Sequence, residues 1–163
     1  MLRTTLIVLL SIVSLQSIAQ RGRVGMLEFA VGGRVGAGIG VTGQYFHTDH
    51  HVFEAIISSR WKGISTTFMY QHHISIRDVR GLKWYMGAGV HGNIYPVGID
   101  RPDIDNAIAG NVFIPGVDAI IGLEYFFPGV PVQVSVDFKP EYNFGILNST
   151  DFTNGGISLR YRF

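Results

Sequence analysis

The stretch Asn154-Gly155-Gly156-Ile157-Ser158-Leu159-Arg160-Tyr161-Arg162-Phe163 decides how the whole chain is read. Ile157, Leu159, Tyr161 and Phe163 fall on one face, and Ser158, Arg160 and Arg162 on the other. Successive side chains of a strand point to opposite sides, so this strict alternation predicts a β-strand with one apolar and one charged face. A strand of a soluble sandwich alternates in the same way, with its polar face turned to water. The other segments have to decide which face is outside.

Upstream, the same pattern repeats. Val132, Val134, Val136 and Phe138 alternate with Gln133, Ser135, Asp137 and Lys139. Val117, Ala119, Ile121, Leu123 and Tyr125 alternate with Asp118, Ile120, Gly122 and Glu124. Trp84–Val90, Ile64–Tyr70 and Phe53–Trp61 behave likewise, and glycine-rich strands at about Met26–Arg34 and Ala37–Phe46 bring the count to eight. Helical spacing accounts for none of these segments.

The composition then bears on the environment. Hydrophobic residues make up 47% of the chain, charged residues only 15%, and 21 glycines are scattered along it. Past the first residues there is no apolar run near the ~20 residues a membrane-spanning helix needs. A closed barrel is the other structure that satisfies every backbone hydrogen bond within a bilayer. Residues 1–19 read as a secretory signal peptide: Arg3 forms the positive region, Leu6–Leu15 the apolar region, and Ser17-Ile18-Ala19 the small-residue cleavage site. The expected mature domain is 20–163. Losing Arg3 from the 13 basic residues leaves as many bases as the 12 acids, which argues against nucleic-acid binding. With no cysteine, disulfides and thiolate metal sites are excluded.

The expected fold is therefore all-β, an eight-stranded antiparallel transmembrane β-barrel in the cell outer membrane. A soluble β-sandwich is the alternative. With both termini in the periplasm, connections should alternate between long outer loops and short inner turns. Residues 95–111 and 143–153 come out as the long outer loops, and Phe127-Pro128-Gly129-Val130-Pro131 as a tight periplasmic turn. His47–His51 and His72–Gly81 are the other periplasmic connections, while those near Gly36 and Lys62-Gly63 are short outer turns. Tyr45, Tyr70, Trp84, Tyr125, Tyr161 and Phe163 fall at periplasmic strand ends on the lipid side, as an interfacial girdle would.

The inward faces then carry the charge. Glu28, Glu54, Asp118, Glu124, Asp137 and Glu141 would meet Arg34, Arg60, Lys83, Lys139, Arg160 and Arg162 inside the lumen. An eight-stranded barrel is just wide enough for its side chains to fill it. Balanced charges there predict a polar plug rather than a pore, because a buried charge without a partner costs several kcal/mol. Inward glycines such as Gly40, Gly87, Gly89 and Gly122 would leave room for long side chains.

With these residues in view, the terminal Ile157-x-Leu159-x-Tyr161-x-Phe163 resembles the signal that outer-membrane barrels present to the barrel-assembly machinery. The segments Trp84–His91, Gly122–Tyr125 and Pro131–Glu141 are similar to small OmpA/OmpX-like barrels of the Bacteroidetes type. The resemblance spans the mature chain and implies an address and a shape rather than a reaction.

Motifs that could carry chemistry have plainer readings. Gly38-Gly40-Gly43 and Gly87-Gly89-Gly92 match a dinucleotide fingerprint, but no helix pattern follows either. His47, His50 and His51 in one turn and His72 and His73 in another could bind a transition metal, but read as solvated turn residues. Asp100, Asp103, Asp105 and Asn106 offer oxygen ligands without the glycine and glutamate of an EF-hand. A lipid A-modifying enzyme would need a serine–histidine pair near the outer leaflet. His73-Ile74-Ser75 has the letters at the wrong end, and His91 points inward. The expectation is a monomeric scaffold with no cofactor, no metal and no chemistry of its own. Its partners would be outer-membrane lipid, the assembly machinery and a ligand at the two outer loops. A lipid-modifying enzyme and a narrow channel or small-ligand carrier are the alternatives.

Overall fold

The computed structural model describes residues 28–60, 63–96, 112–144 and 149–163. The signal segment 1–19, Met26, Trp61, the Asp100–Asn106 group and the greater part of loop 95–111 lie outside the described residues. Ten strands are formed: β1 (Phe29–Gly36), β2 (Ile39–Phe46), β3 (His51–Arg60), β4 (Gly63–Ser75), β5 (Leu82–Tyr95), β6 (Val112–Phe126), β7 (Val132–Phe138), β8 (Glu141–Asn143), β9 (Ser149–Asp151) and β10 (Gly155–Arg162).

These make eight staves. Strands pair in the order β5-β4-β3-β2-β1-β10-β7-β6, and β5 pairs with β6 to close the ring. All pairings are antiparallel. β7 and β8 form one stave on the edge of β6, interrupted at Lys139-Pro140 without a change of register (Ile121 opposes Phe138, and Asp118 opposes Glu141). β9 and β10 form another, with one extra residue between Asp151 and Gly155 relative to the stretch Phe138–Glu141. This is a β-bulge, which bends the stave near its end. Closure through β5 and β6 leaves only the short β9 paired on one side among the described strands.

The turns at the end that carries Phe29 and Phe163 are tight. Pro128 and Gly129, the latter at φ 90°, occupy the centre of a turn closed by Val130 N–H donating to the Phe127 carbonyl at 3.3 Å. Proline followed by a left-handed glycine is the type II signature. At the opposite end β1 and β2 are joined through Ala37-Gly38 alone, and β8 and β9 form a short hairpin.

Several elements run further than their sequence suggests. β4 continues to Ser75, so the connection expected over His72–Gly81 shrinks to residues 76–81. His72 and His73 belong to the strand, one outside and one inside the ring. β5 ends at Tyr95 and β6 begins at Val112, as the expected loop 95–111 requires, whereas the expected loop 143–153 contains the β9 segment and its pairing with β8.

The burial pattern is that of a globular protein turned inside out. Ile39 is 71% exposed, Phe68 60% and Leu159 59%, whereas Arg160 is 1% and Tyr85 0% exposed. Two small apolar clusters lie inside, Ile56–Met69–Tyr85–Ile120 and Ala30–Phe46–Val52. Tyr95, Val112 and Ile114 are buried at the loop end, and most of the remaining buried residues are polar. On the outside, aromatic pairs ring the termini end, including Phe29–Tyr45 at 5.0 Å, Phe53–Tyr70 at 5.6 Å and Tyr161–Phe163 at 5.5 Å.

Candidate functional site

The lumen collects the chain's buried charges because inward positions recur every second residue on every stave. In the half nearer the termini, Arg160 is the hub. Its guanidinium is hydrogen-bonded to the Glu54 carboxylate, donates to Ser135 Oγ at 2.8 Å and to Thr42 Oγ1 at 3.2 Å, and lies 4.0 Å from Glu124. Glu54 also accepts from the Thr42 hydroxyl and the Gln71 amide. Gln133 bridges Glu124 at 3.0 Å and Gln44 at 2.6 Å. His73, fully buried, stacks on Tyr85 at 4.9 Å and lies 3.6 Å from Glu124.

Midway along the barrel, Arg34 makes the bidentate contact with Asp137 that a guanidinium favours, Nη1 donating to Oδ2 at 2.6 Å. The Tyr85 hydroxyl donates to the same Oδ2 at 3.1 Å. Gly122 makes this possible: a Cβ there would stand 2.6 Å from the Tyr85 ring.

A second cluster fills the loop half. The Lys139 ammonium is bonded to Asp118 and lies 3.3 Å from Glu141. His91 Nδ1 stands 3.0 Å from Asp118 and Nε2 3.1 Å from the Asn143 amide oxygen. Both ring nitrogens thus face acceptors, an arrangement that fits an imidazolium. Arg60 reaches Asp151 at 2.8 Å and Glu141 at 3.4 Å, and Asn154 donates to Glu141 at 2.6 Å. With His91 charged, three cations face three carboxylates. Above this cluster a cavity of about 20 Å³ is lined by residues including Arg60, Asn93, Tyr95, Lys139 and Glu141. That is room for about one water.

Among the expected lumen residues, Arg34, Glu54, Asp118, Glu124, Asp137, Lys139, Glu141 and Arg160 are buried together, and Arg60 is half-buried with them. Three sit at or beyond the mouth. Arg162 lies half-buried over the Phe46 ring at 4.1 Å. Lys83 donates to the Asp49 carbonyl at 3.2 Å in the neighbouring turn. Glu28 is exposed, one residue before β1 begins, where the inward-outward rule no longer holds it. Ile157, Leu159, Tyr161 and Phe163 all stand on the outer surface. The sequence reading missed the uncharged partners Thr42, Gln44, Gln71, Asn93, Gln133 and Asn143, all buried. Their signal is register: each occupies an inward position.

Chemistry at this site is constrained by its bonding. His91, Asp118 and Glu141 offer ligand atoms within 4.8 Å of one another, the sort of group that could hold a metal ion. Lys139 already supplies the cation there, so a metal would have to displace its ammonium. Acyl transfer needs a hydroxyl hydrogen-bonded to the histidine base. His91 Nε2 is instead engaged by Asn143, whose amide stands between it and Ser149 Oγ at 3.4 Å. The glycine motifs Gly38-Gly40-Gly43 and Gly87-Gly89-Gly92 begin at or lie within β2 and β5, and a strand, not a helix, continues from each.

Closure, antiparallel order and a polar interior within an apolar outside define a small barrel of the outer-membrane type. Its fold is similar to the N-terminal β-barrel domain of Pseudomonas aeruginosa OprF, with a TM-score of 0.62 and 18% identity over 83% of this chain and 95% of that one. No protein-family model and no curated protein matches the chain.

Proposed function

We propose that the protein resides in the outer membrane as a monomeric, non-enzymatic scaffold that holds loops 95–111 and 143–153 at the cell surface. One observation carries this reading: the apolar belt stands outside and the charges are paired inside. Exposed hydrophobics such as Val31, Val35, Ile39, Val41, Ile57 and Ile157 lie on the outer face of a closed ring. Soluble monomers rarely expose a contiguous apolar patch beyond a few hundred Å², whereas lipid covers such a belt at no cost. The filled lumen supports a scaffold over a channel, and the engagement of His91 by Asn143 supports it over a lipid-modifying enzyme. Residues Ile157, Leu159, Tyr161 and Phe163 form the outward stripe offered to the assembly machinery, and residues 1–19 direct export.

The absence of native cysteine makes the test direct. Single variants Asp103→Cys, in the outer loop, and Asp78→Cys, in the turn at the termini end, are expressed in cells and treated with a membrane-impermeant maleimide. The expected result is an outer-membrane protein labelled in intact cells at position 103 only, and at 78 after permeabilisation. A soluble periplasmic product, or labelling of position 78 from outside, overturns the proposal.

A further inference from the structure

The outer rim at the termini end carries a histidine group that the lumen does not use, and we propose that His51 and His72, with His50, form a site for a borderline transition-metal ion such as Cu²⁺ or Zn²⁺. β3 and β4 place His51 directly opposite His72. His73 N–H donates to the His50 carbonyl at 2.8 Å, which makes the neighbouring His51–His72 pair a non-hydrogen-bonded one. Such pairs bring facing side chains closest together. The rings of His51 and His72 have centroids 5.2 Å apart, and those of His50 and His72 5.9 Å apart. Metal–nitrogen bonds of about 2.0–2.1 Å put each bound ring centre about 3.2 Å from the ion, so two rings at the tetrahedral angle stand roughly 5 Å apart. The ring centres of His51 and His72 thus stand at a ligating separation, and binding an ion requires these exposed side chains and that of His50 to rotate until their nitrogens converge.

Surrounding groups suit the role. The Tyr70 hydroxyl is hydrogen-bonded to His51 Nδ1, which leaves Nε2 for the ion and fixes the ring in the way outer-shell partners of metal-bound histidines do. Thr48 Oγ1 accepts the amides of His50 at 3.3 Å and His51 at 3.0 Å, holding the turn that presents His50. The lumen cluster of His91, Asp118 and Glu141 already holds Lys139, whereas at this rim the Lys83 ammonium donates to the Asp49 carbonyl. Nitrogen donors without carboxylates select Cu²⁺, Ni²⁺ or Zn²⁺ over Ca²⁺ or Mg²⁺.

The test is a Cu²⁺ titration by calorimetry of the full chain folded in detergent micelles, with electron paramagnetic resonance of the bound ion. Expected are one Cu²⁺ per folded barrel, nitrogen hyperfine structure, and competition by excess Zn²⁺ but not by Mg²⁺. His72→Ala and His51→Ala should each weaken binding at least tenfold, and His47→Ala should leave it within twofold. Each variant's heat-modifiable gel shift reports that it is folded. Equal binding by wild type and His72→Ala, or equal affinity of the urea-unfolded chain, overturns the site.

Discussion

Arg160 illustrates what a single residue does in this molecule. Its side chain is fully buried, as is that of Glu54, and the Glu54 carboxylate, two hydroxyls and Glu124 surround it. Removing one partner strands the other charge in a buried site, which costs about 3–5 kcal/mol. Glu54→Ala should therefore lower the unfolding free energy in urea titrations by that amount. Arg160→Met combined with Glu54→Leu should cost less than the sum of the single changes, because the contacting pair is removed together. Glu28→Ala, at an exposed position, should stay within about 0.5 kcal/mol. Gly116 tests space rather than charge. A Cβ there would stand 2.3 Å from His91 Cε1, so Gly116→Ala should destabilise by about 1–3 kcal/mol through overpacking. The charged half of this network is legible in the sequence, since Glu54, Asp118, Asp137 and Arg160 sit on the polar face of alternating runs. Which cation meets which carboxylate is not, because Arg34 and Asp137 are joined across staves 103 positions apart in the chain.

At the scale of elements, alternation revealed the strands and hid their ends. His72 and His73 look like turn residues by composition, yet they continue β4, one outward and one inward. At the loop end Asn143, read as the start of a loop, is a buried partner of Asn93, and Gly116 makes room for His91. The β8–β9 hairpin is an element that composition alone did not disclose. Asp151 ties it down by accepting from the Thr153 amide at 2.8 Å, the Thr153 hydroxyl at 2.6 Å and Arg60 at 2.8 Å. Partial burial raises the Asp151 carboxyl, but the hydrogen bonds from Thr153 and Arg60 outweigh it and hold the group below its ordinary value. A carboxylate with a lowered folded value contributes stability above its unfolded value, near 3.9, and loses it as pH falls through the folded value. Amide protection factors of residues 149–153, taken against the intrinsic exchange rate at each pH, should therefore fall below about pH 4 while the barrel staves stay protected, and Asp151→Asn should already show the low protection at neutral pH. Unchanged protection factors from pH 6 down to pH 2 would sink this account of the hairpin.

The molecule as a whole is a ring whose centre is occupied. Eight staves leave a lumen that side chains can just fill, and the two networks described above fill it. Burying so many charges is tolerable only because they are paired: in the loop half Arg60 and Lys139, with the His91 ring beside them, face Asp118, Glu141 and Asp151, and nearer the termini Arg34 and Arg160 face Asp137, Glu54 and Glu124. The cavity above the loop-half cluster, about 20 Å³, holds about one water rather than a column of them. An ion crossing the barrel would have to break at least the Lys139–Asp118 and Arg160–Glu54 contacts in turn, each several kcal/mol in a dry interior. Planar bilayers containing the folded protein are therefore expected to show no steady ionic current, at neutral pH and moderate voltage, while the same preparation shows the heat-modifiable gel shift of a closed barrel. The gel shift guards against the trivial result in which nothing inserted. A discrete, reproducible conductance from such a preparation would mean that the paired charges separate readily in the membrane, and the scaffold reading would give way to the channel.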